Sequence, residues 1–330
     1  MRDETLTMLE KANKLPNWQT LKLILSSLIV FNFYLASNPV VKVDYSILIN
    51  LFDLVLIPMF VFIAAYTSKG ISWQDWHTHL IPPLIIYVTF QTLDAIPLYY
   101  TGTLSIEKYL LFPQNGVWFF LAVPIWQAFF LLLPLGIKSK GIGLFITLLL
   151  SLFIAFWAVH SLLERTSFAA ILQYFPFFVV AYFCDDKKLE WLRRHTFFVA
   201  PLMIILVGFY FYFQSEIESL LMQVFGHRLL ICAFFMQIFS FLVGVLIAIV
   251  AICFALSTVR FVKIANNALG VYLIHPIICF LLLTGVGALN IETGLSILIA
   301  LTLITIILAL LLSTNPVIHW FLNPQIKSKK

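Results

Sequence analysis

Residues 267–289 read NALGVYLIHPIICFLLLTGVGAL, an apolar run interrupted by one ionisable side chain, His275. At about 1.5 Å of rise per residue, such a run reaches across a hydrocarbon core of about 30 Å. A histidine inside it must find a polar partner or line a wet cavity, which makes His275 a functional candidate from the outset.

Working outward, nine more runs meet the same length rule, near 20–37, 45–67, 80–100, 116–137, 141–160, 167–184, 196–213, 230–257 and 293–313. The run at 230–257 is long enough to tilt, kink or extend beyond the membrane. Continuous apolar runs exclude a closed β-barrel, whose strands alternate over about ten residues. The composition agrees. The chain is 62% hydrophobic and 11% charged, against about 25% charged residues in soluble domains. The expected fold is all-α, a polytopic bundle of about ten transmembrane helices. A short N-terminal segment (1–19) precedes one membrane domain (20–313), and a basic tail (314–330) follows it. The charged N-terminal segment does not read as a secretory signal, so the first span is expected to act as its own insertion signal.

The 20 basic residues set the orientation. With the N-terminus inside, 16 of them fall on inner segments, including Lys22, Lys69, Lys187, Lys188, Arg193 and Arg194, and the outer segments hold only Lys42, Lys108, Arg165 and Arg228. This positive-inside bias puts both termini in the cytoplasm and calls for an even number of spans. The localisation it suggests is the bacterial cytoplasmic (inner) membrane. The four cysteines lie in or beside apolar runs without zinc-ligand spacing and read as buried hydrophobes. No phosphate loop, dinucleotide fingerprint, metal-ligand cluster or Gly-x-Ser-x-Gly elbow is present, nor any nucleic-acid motif. Neither a metal nor a nucleic-acid partner is expected.

Counting inward along each run places Asn32, Asp53, Asp94 and Gln173 within roughly 8–12 Å of the outer surface. Together they suggest an outward-facing polar cavity for a hydrophilic substrate. Asp53 also reads as a helix-to-helix link through Asn32 or Asn50, and Asp94, just before Pro97, as an interfacial carboxylate. His160 lies nearer the outer face, with Glu164 four residues on, a spacing that suits either a base with its orienter or a solvated helix end. Lys22, His77 and His79 fall at the inner boundary, and Gln127 and His275 fall nearer mid-membrane. Trp118 reads as part of an interfacial aromatic belt. No internal repeat of the transporter kind is visible.

Several segments together resemble the acyltransferase-3 family of integral membrane proteins, in its fucose 4-O-acetylase-like branch. Leu269-Gly270-Val271-Tyr272-Leu273-Ile274-His275-Pro276 is similar to that family's late-span signature, and Gly116-Val117-Trp118-Phe119-Phe120-Leu121 to its fourth-span segment. Tyr174–Tyr182, Leu80-Ile81-Pro82 and Ile57–Tyr66 resemble further segments, in the same order, so that the likeness runs from about residue 18 to 324. It implies transfer of an acyl group, usually acetyl from acetyl-CoA, to a hydroxyl of an envelope polysaccharide or glycolipid. The family has an arginine in the first span and, eleven residues later, a histidine thought to abstract a proton. Here Lys22 and Phe33 occupy those places, and Trp76-His77-Thr78-His79 stands where a basic Arg-x-x-Arg element is expected. Lysine keeps the charge without the guanidinium fork, and phenylalanine cannot accept a proton. His275, then Asp53, then His160 are the candidate replacement bases, and for His275 a structural hydrogen bond to a neighbouring helix is the alternative. Lys22, His77 and His79 are candidates for the phosphates of the coenzyme A donor, or plain positive-inside anchors. Asn32, Asp94, Gln173 and Trp118 are candidates for the acceptor. A transporter or flippase of glycan intermediates, and a catalytically silent relative acting as a partner subunit, are the other readings of the same sequence.

Overall fold

The computed structural model describes residues 15–37, 45–100, 102, 105–113, 116–133, 141–161, 166–226, 228–257, 262–289 and 294–324. The described residues form helices and no strand. In order these are α1 (Trp18–Ser37), α2 (Ser46–Thr67), α3 (Trp76–Tyr100), α4 (Ile106–Leu111), α5 (Trp118–Leu132), α6 (Gly141–Val159), α7 (Ser167–Gln173) and α8 (Phe175–Tyr182). There follow α9 (Asp186–Arg194), α10 (Thr196–Tyr212), α11 (Gln214–Val224), α12 (Leu229–Phe254), α13 (Val262–Ala265), α14 (Ala268–Ala288), α15 (Leu295–Ser313) and α16 (Pro316–Leu322).

Each expected run carries helix. Seven of the helices are long and apolar enough to cross a membrane, and nine spans result if each of two bent pairs crosses as well. The protein is a polytopic membrane helix bundle. The first bent pair runs from Phe168–Tyr182 into α9 with an 85° turn, and the second from α10 into α11 with a 63° turn. Helix α5 has 15 residues, about 22 Å by helical rise, and is short of a full crossing.

Two buried clusters hold the bundle together. One gathers α2, α5, α8 and α12 around Met59, Ile63, Trp126, Phe130 and Phe178. The other gathers α1, α3, α14 and α15 around Val30, Tyr34, Phe90, Val271 and Leu298. Lipid tails are as apolar as leucine, so helix contact in a membrane rests on close packing and on polar links between helices. Both are present. The Tyr34 hydroxyl and Thr305 Oγ1 lie 2.7 Å apart across α1 and α15. At Gly270 a Cβ would come within 1.8 Å of Ser313 Oγ, so only glycine lets α14 and α15 approach this closely. The break between α7 and α8 follows from Pro176, which has no N–H to continue the ladder, and Trp126 Nε1 donates to the nearby Ile171 carbonyl at 2.9 Å.

At the positive end of the bundle, α9 lies across the ends of α2 and α12. Asp185 caps it, accepting from the Lys188 backbone N–H at 2.8 Å, and this bond holds the Asp185 carboxyl below its ordinary pKa. Tyr66 donates to Asp186, and Lys69 donates to the Cys184 carbonyl. Burial pushes the Lys69 ammonium below the usual lysine pKa. Arg193 donates to the carbonyls of Ile252 and Ala255, at 3.0 and 2.7 Å, at the end of α12. The expected tail from residue 314 begins as a docked helix, α16, whose Leu322 is buried against α14.

Candidate functional site

Helix α1 presents residues 19, 22, 26, 29, 33 and 36 at alternating three- and four-residue steps, which puts them on one face. That face lines two cavities. The first, of about 500 Å³, takes Gln19, Lys22 and Ser26 from α1, Ala64 from α2, Pro82 and Pro83 from α3, and Leu322 from α16. The second, of about 250 Å³, takes Asn32 and Phe33 from α1, Asp53 from α2, Gly116 and Trp118 at the start of α5, and His275 from α14. Lys22 and Asn32 are ten residues apart, so the cavities are centred about 15 Å apart along α1. The Lys22 cavity lies toward the positive side and is called inner here; the other is called outer.

Three rings line both cavities: Phe60, Phe119 and Tyr272. Their centroids are separated by 5.2 Å (Phe60–Tyr272), 6.2 Å (Phe60–Phe119) and 6.4 Å (Phe119–Tyr272). Tyr272 is anchored, its hydroxyl donating to the Gly116 carbonyl at 3.0 Å. Gly116 has φ +79°, and a Cβ there would meet the Tyr272 hydroxyl at 2.6 Å. Non-helical backbone at this depth is tolerated only where protein buries it or it lines a wet cavity. Here it lines the outer cavity, and α5 starts inside the bundle instead of at its surface.

In the outer cavity, Asn32 Nδ2 donates to Asp53 Oδ1 at 3.1 Å. Asp53 is therefore both a link between α1 and α2 and a carboxylate at a cavity wall. The Asn32 amide oxygen, Oδ1, is buried without a hydrogen-bond partner. His275 is buried, and its Nδ1 lies 2.7 Å from the Tyr272 carbonyl and 3.2 Å from that of Val271. A carbonyl only accepts, so Nδ1 carries the hydrogen. In neutral imidazole that leaves the lone pair on Nε2, as a general base requires. These bonds go to its own helix, not to the neighbouring helix that a structural role called for. The ring also meets Phe33 edge-on at 5.6 Å, so His275 stands beside the position where the resemblance expects a base.

In the inner cavity Lys22 makes no ion pair among the described residues, and the buried Ser26 hydroxyl has no hydrogen-bond partner. A cation and a free donor on one wall suit an anionic ligand.

Of the sequence candidates, the fold brings Asn32, Asp53, Trp118 and His275 together and sets Lys22 in the adjoining cavity. The others stand apart. Asp94 and Gln173 are not among the residues lining either cavity. His160 is exposed, donates to the Phe156 carbonyl at 2.9 Å and lies on the Phe156 ring, and its expected partner Glu164 falls outside the described residues. His77 packs edge-on to Trp76, and neither it nor His79 lines the inner cavity. Gln127 is displaced from mid-membrane. It donates to Ser68 Oγ at 2.7 Å, just past the positive end of α2, because α5 starts deep and brings its middle close to that end. Sequence reasoning missed Ser26 and Phe60, whose one signal is helical spacing from Lys22 and Asp53, and Phe119, on α5, which has none.

Compared with known proteins, the chain matches no family model, no curated protein and no solved structure.

Proposed function

We propose that this chain is a membrane O-acyltransferase that moves an acyl group, acetyl in the simplest case, from acyl-CoA to a hydroxyl of an envelope carbohydrate. The observation that carries the reading is the juxtaposition of His275, Phe33 and Asp53 in one cavity. A base at position 275 reaches the same space as a base at position 33, so the loss of the family-like histidine is offset one ring away. In the inner cavity, Lys22 attracts a phosphate of the donor, and the Ser26 hydroxyl offers a hydrogen bond. In the outer cavity, Asp53, Asn32 and Trp118 receive the acceptor sugar.

The chemistry assigned to these residues is compact. His275 Nε2 takes the acceptor hydroxyl proton as that oxygen attacks the thioester carbonyl, forming the C–O bond. The tetrahedral intermediate then expels the thiolate, breaking the C–S bond, and the proton on Nε2 passes to the sulfur. Helix α5 starts at the cavity, and the positive end of its dipole favours the negative charge that develops on the carbonyl oxygen.

The test is His275→Asn in purified protein reconstituted into liposomes. Asparagine keeps a donor near the Nδ1 position and deletes the Nε2 base. General-base loss lowers acetyl transfer from acetyl-CoA by about 10²–10⁴-fold, and an unchanged rate refutes the assignment. A second reading, passage of a polar glycan intermediate, is favoured by one observation: the two cavities adjoin, sharing Phe60, Phe119 and Tyr272 as lining. A deletion strain separates the two, since loss of envelope acetyl content supports the enzyme. Unchanged acetylation with glycan accumulating on one side supports transport.

A further inference from the structure

The two cavities share Phe60, Phe119 and Tyr272 and no other lining residue. Three helices agree on the level of this boundary. On α1 it falls between Ser26 and Ile29, on α2 at Phe60 between Ala64 and Ile57, and on α14 at Tyr272 between Leu269 and His275. Tyr272 is fixed by its bond to Gly116, whereas Phe60 and Phe119 are held by apolar packing and ring contacts. Resting on the acyltransferase reading, we propose that these three rings form the specificity element of the reaction. They separate donor from acceptor space and admit only a short acyl group to His275.

The chemistry requires such an element. The donor thioester and the acceptor hydroxyl approach from opposite cavities, and their reacting atoms must meet at or just beyond the rings. An acyl chain that crosses them enters an outer cavity of only about 250 Å³, which the acceptor must share. Every added methylene competes for that volume with the sugar and presses on Phe60 or Phe119.

Two readouts test the proposal, one independent of catalysis. In a background with Cys184, Cys232, Cys253 and Cys279 replaced by alanine, Ile57→Cys places a thiol in the outer cavity, one turn from Phe60. In proteoliposomes, a membrane-impermeant maleimide applied from the Lys22 side is expected to spare this thiol while Phe60 is present. It is expected to label the thiol at least about tenfold faster with Phe60→Ala. Equal labelling with and without Phe60 overturns the partition. The second readout compares acetyl-, butyryl- and octanoyl-CoA. An extra methylene is worth about 10–200-fold in a fitted pocket, so Phe119→Ala, or Phe119→Leu if alanine does not fold, is expected to raise the butyryl-to-acetyl ratio at least about tenfold. An unchanged ratio with folded variants overturns length selection. No transfer with any acyl-CoA overturns the acyltransferase reading and length selection with it. The thiol result still decides whether the rings divide the cavities.

Discussion

Replacing Gly116 by alanine tests the geometry on which the site depends. Two costs add. At φ +79° a residue with a Cβ pays about 1–2 kcal/mol relative to glycine. The new methyl would also lie 2.6 Å from the Tyr272 hydroxyl, which must move and give up its 3.0 Å bond to the Gly116 carbonyl. A buried hydroxyl left without a partner costs about 1–3 kcal/mol. The sum is a loss of about 2–5 kcal/mol for Gly116→Ala. Tyr272→Phe alone gives up one ordinary hydrogen bond, about 0.5–1.5 kcal/mol. In the double variant the hydroxyl that causes the clash is absent, so the two changes do not add. A coupling of about 1 kcal/mol or more is expected, within the range for residues in contact. Thermal unfolding in detergent, followed by a thiol dye reacting with the buried Cys232, Cys253 and Cys279, reads all four members of the cycle. Strict additivity refutes the contact, and with it the placement of the 116–118 backbone inside the bundle.

Phe33→His combined with His275→Asn is expected to recover part of the acetyl transfer lost in His275→Asn, because both positions face one cavity; no recovery in a folded double variant counts against a shared site. Gly270→Ala forces a Cβ to within 1.8 Å of Ser313 Oγ and 2.8 Å of Ser313 Cβ, an overpacking expected to cost about 1–3 kcal/mol, and an unshifted melting temperature would show that α14 and α15 are not in this contact. The Asp185 carboxyl, lowered by the Lys188 N–H bond, contributes stability to α9 that is present above its ordinary value of 3.8 and lost as pH falls through the lower, folded value. Hydrogen exchange in 185–194 is therefore expected to speed up in acid relative to Asp185→Asn, which keeps a capping oxygen at every pH, and identical profiles would refute the cap.

Periodicity and length made the spans legible, because each helix that crosses lipid must satisfy its backbone internally and coat itself with apolar side chains. The candidate site was legible in part for the same reason. Asp53, Asn32 and His275 stand out as costly groups in apolar surroundings, and costly groups collect where a cavity shelters them. Counting from span ends put Asn32 of α1 and Asp53 of α2 on one level, and their 3.1 Å hydrogen bond agrees. The same counting was unreliable for α5, which starts within the bundle, so Gln127 fell near the positive end of α2 instead of mid-membrane. Asp94 and Gln173, expected at the same depth, do not line the outer cavity. Depth is one coordinate, and the azimuth about each helix axis depends on packing that no single run encodes. The aromatic partition was invisible for a related reason: phenylalanine occurs 33 times in the chain, and only three-dimensional contact distinguishes Phe60 and Phe119 from rings that face lipid.

The position of Gly116 links the irregular part of the fold to the chemistry. A bundle of complete spans would bury its backbone dipoles in ladders and offer a ligand only side chains. By starting α5 beside Tyr272, the chain places a helix N-terminus, a glycine with positive φ and an indole ring next to Asp53 and His275. The cost is a helix too short to cross the membrane, and the Gly116 carbonyl at its start accepts from both the Phe119 N–H and the Tyr272 hydroxyl. That hydroxyl ties the start of α5 to α14 and fixes the one ring of the proposed partition that belongs to the same helix as His275. Any movement of α14 that shifts Tyr272 must shift His275, three residues on, by a similar amount. Access between the cavities and placement of the proposed base are thereby coupled through a single turn of helix.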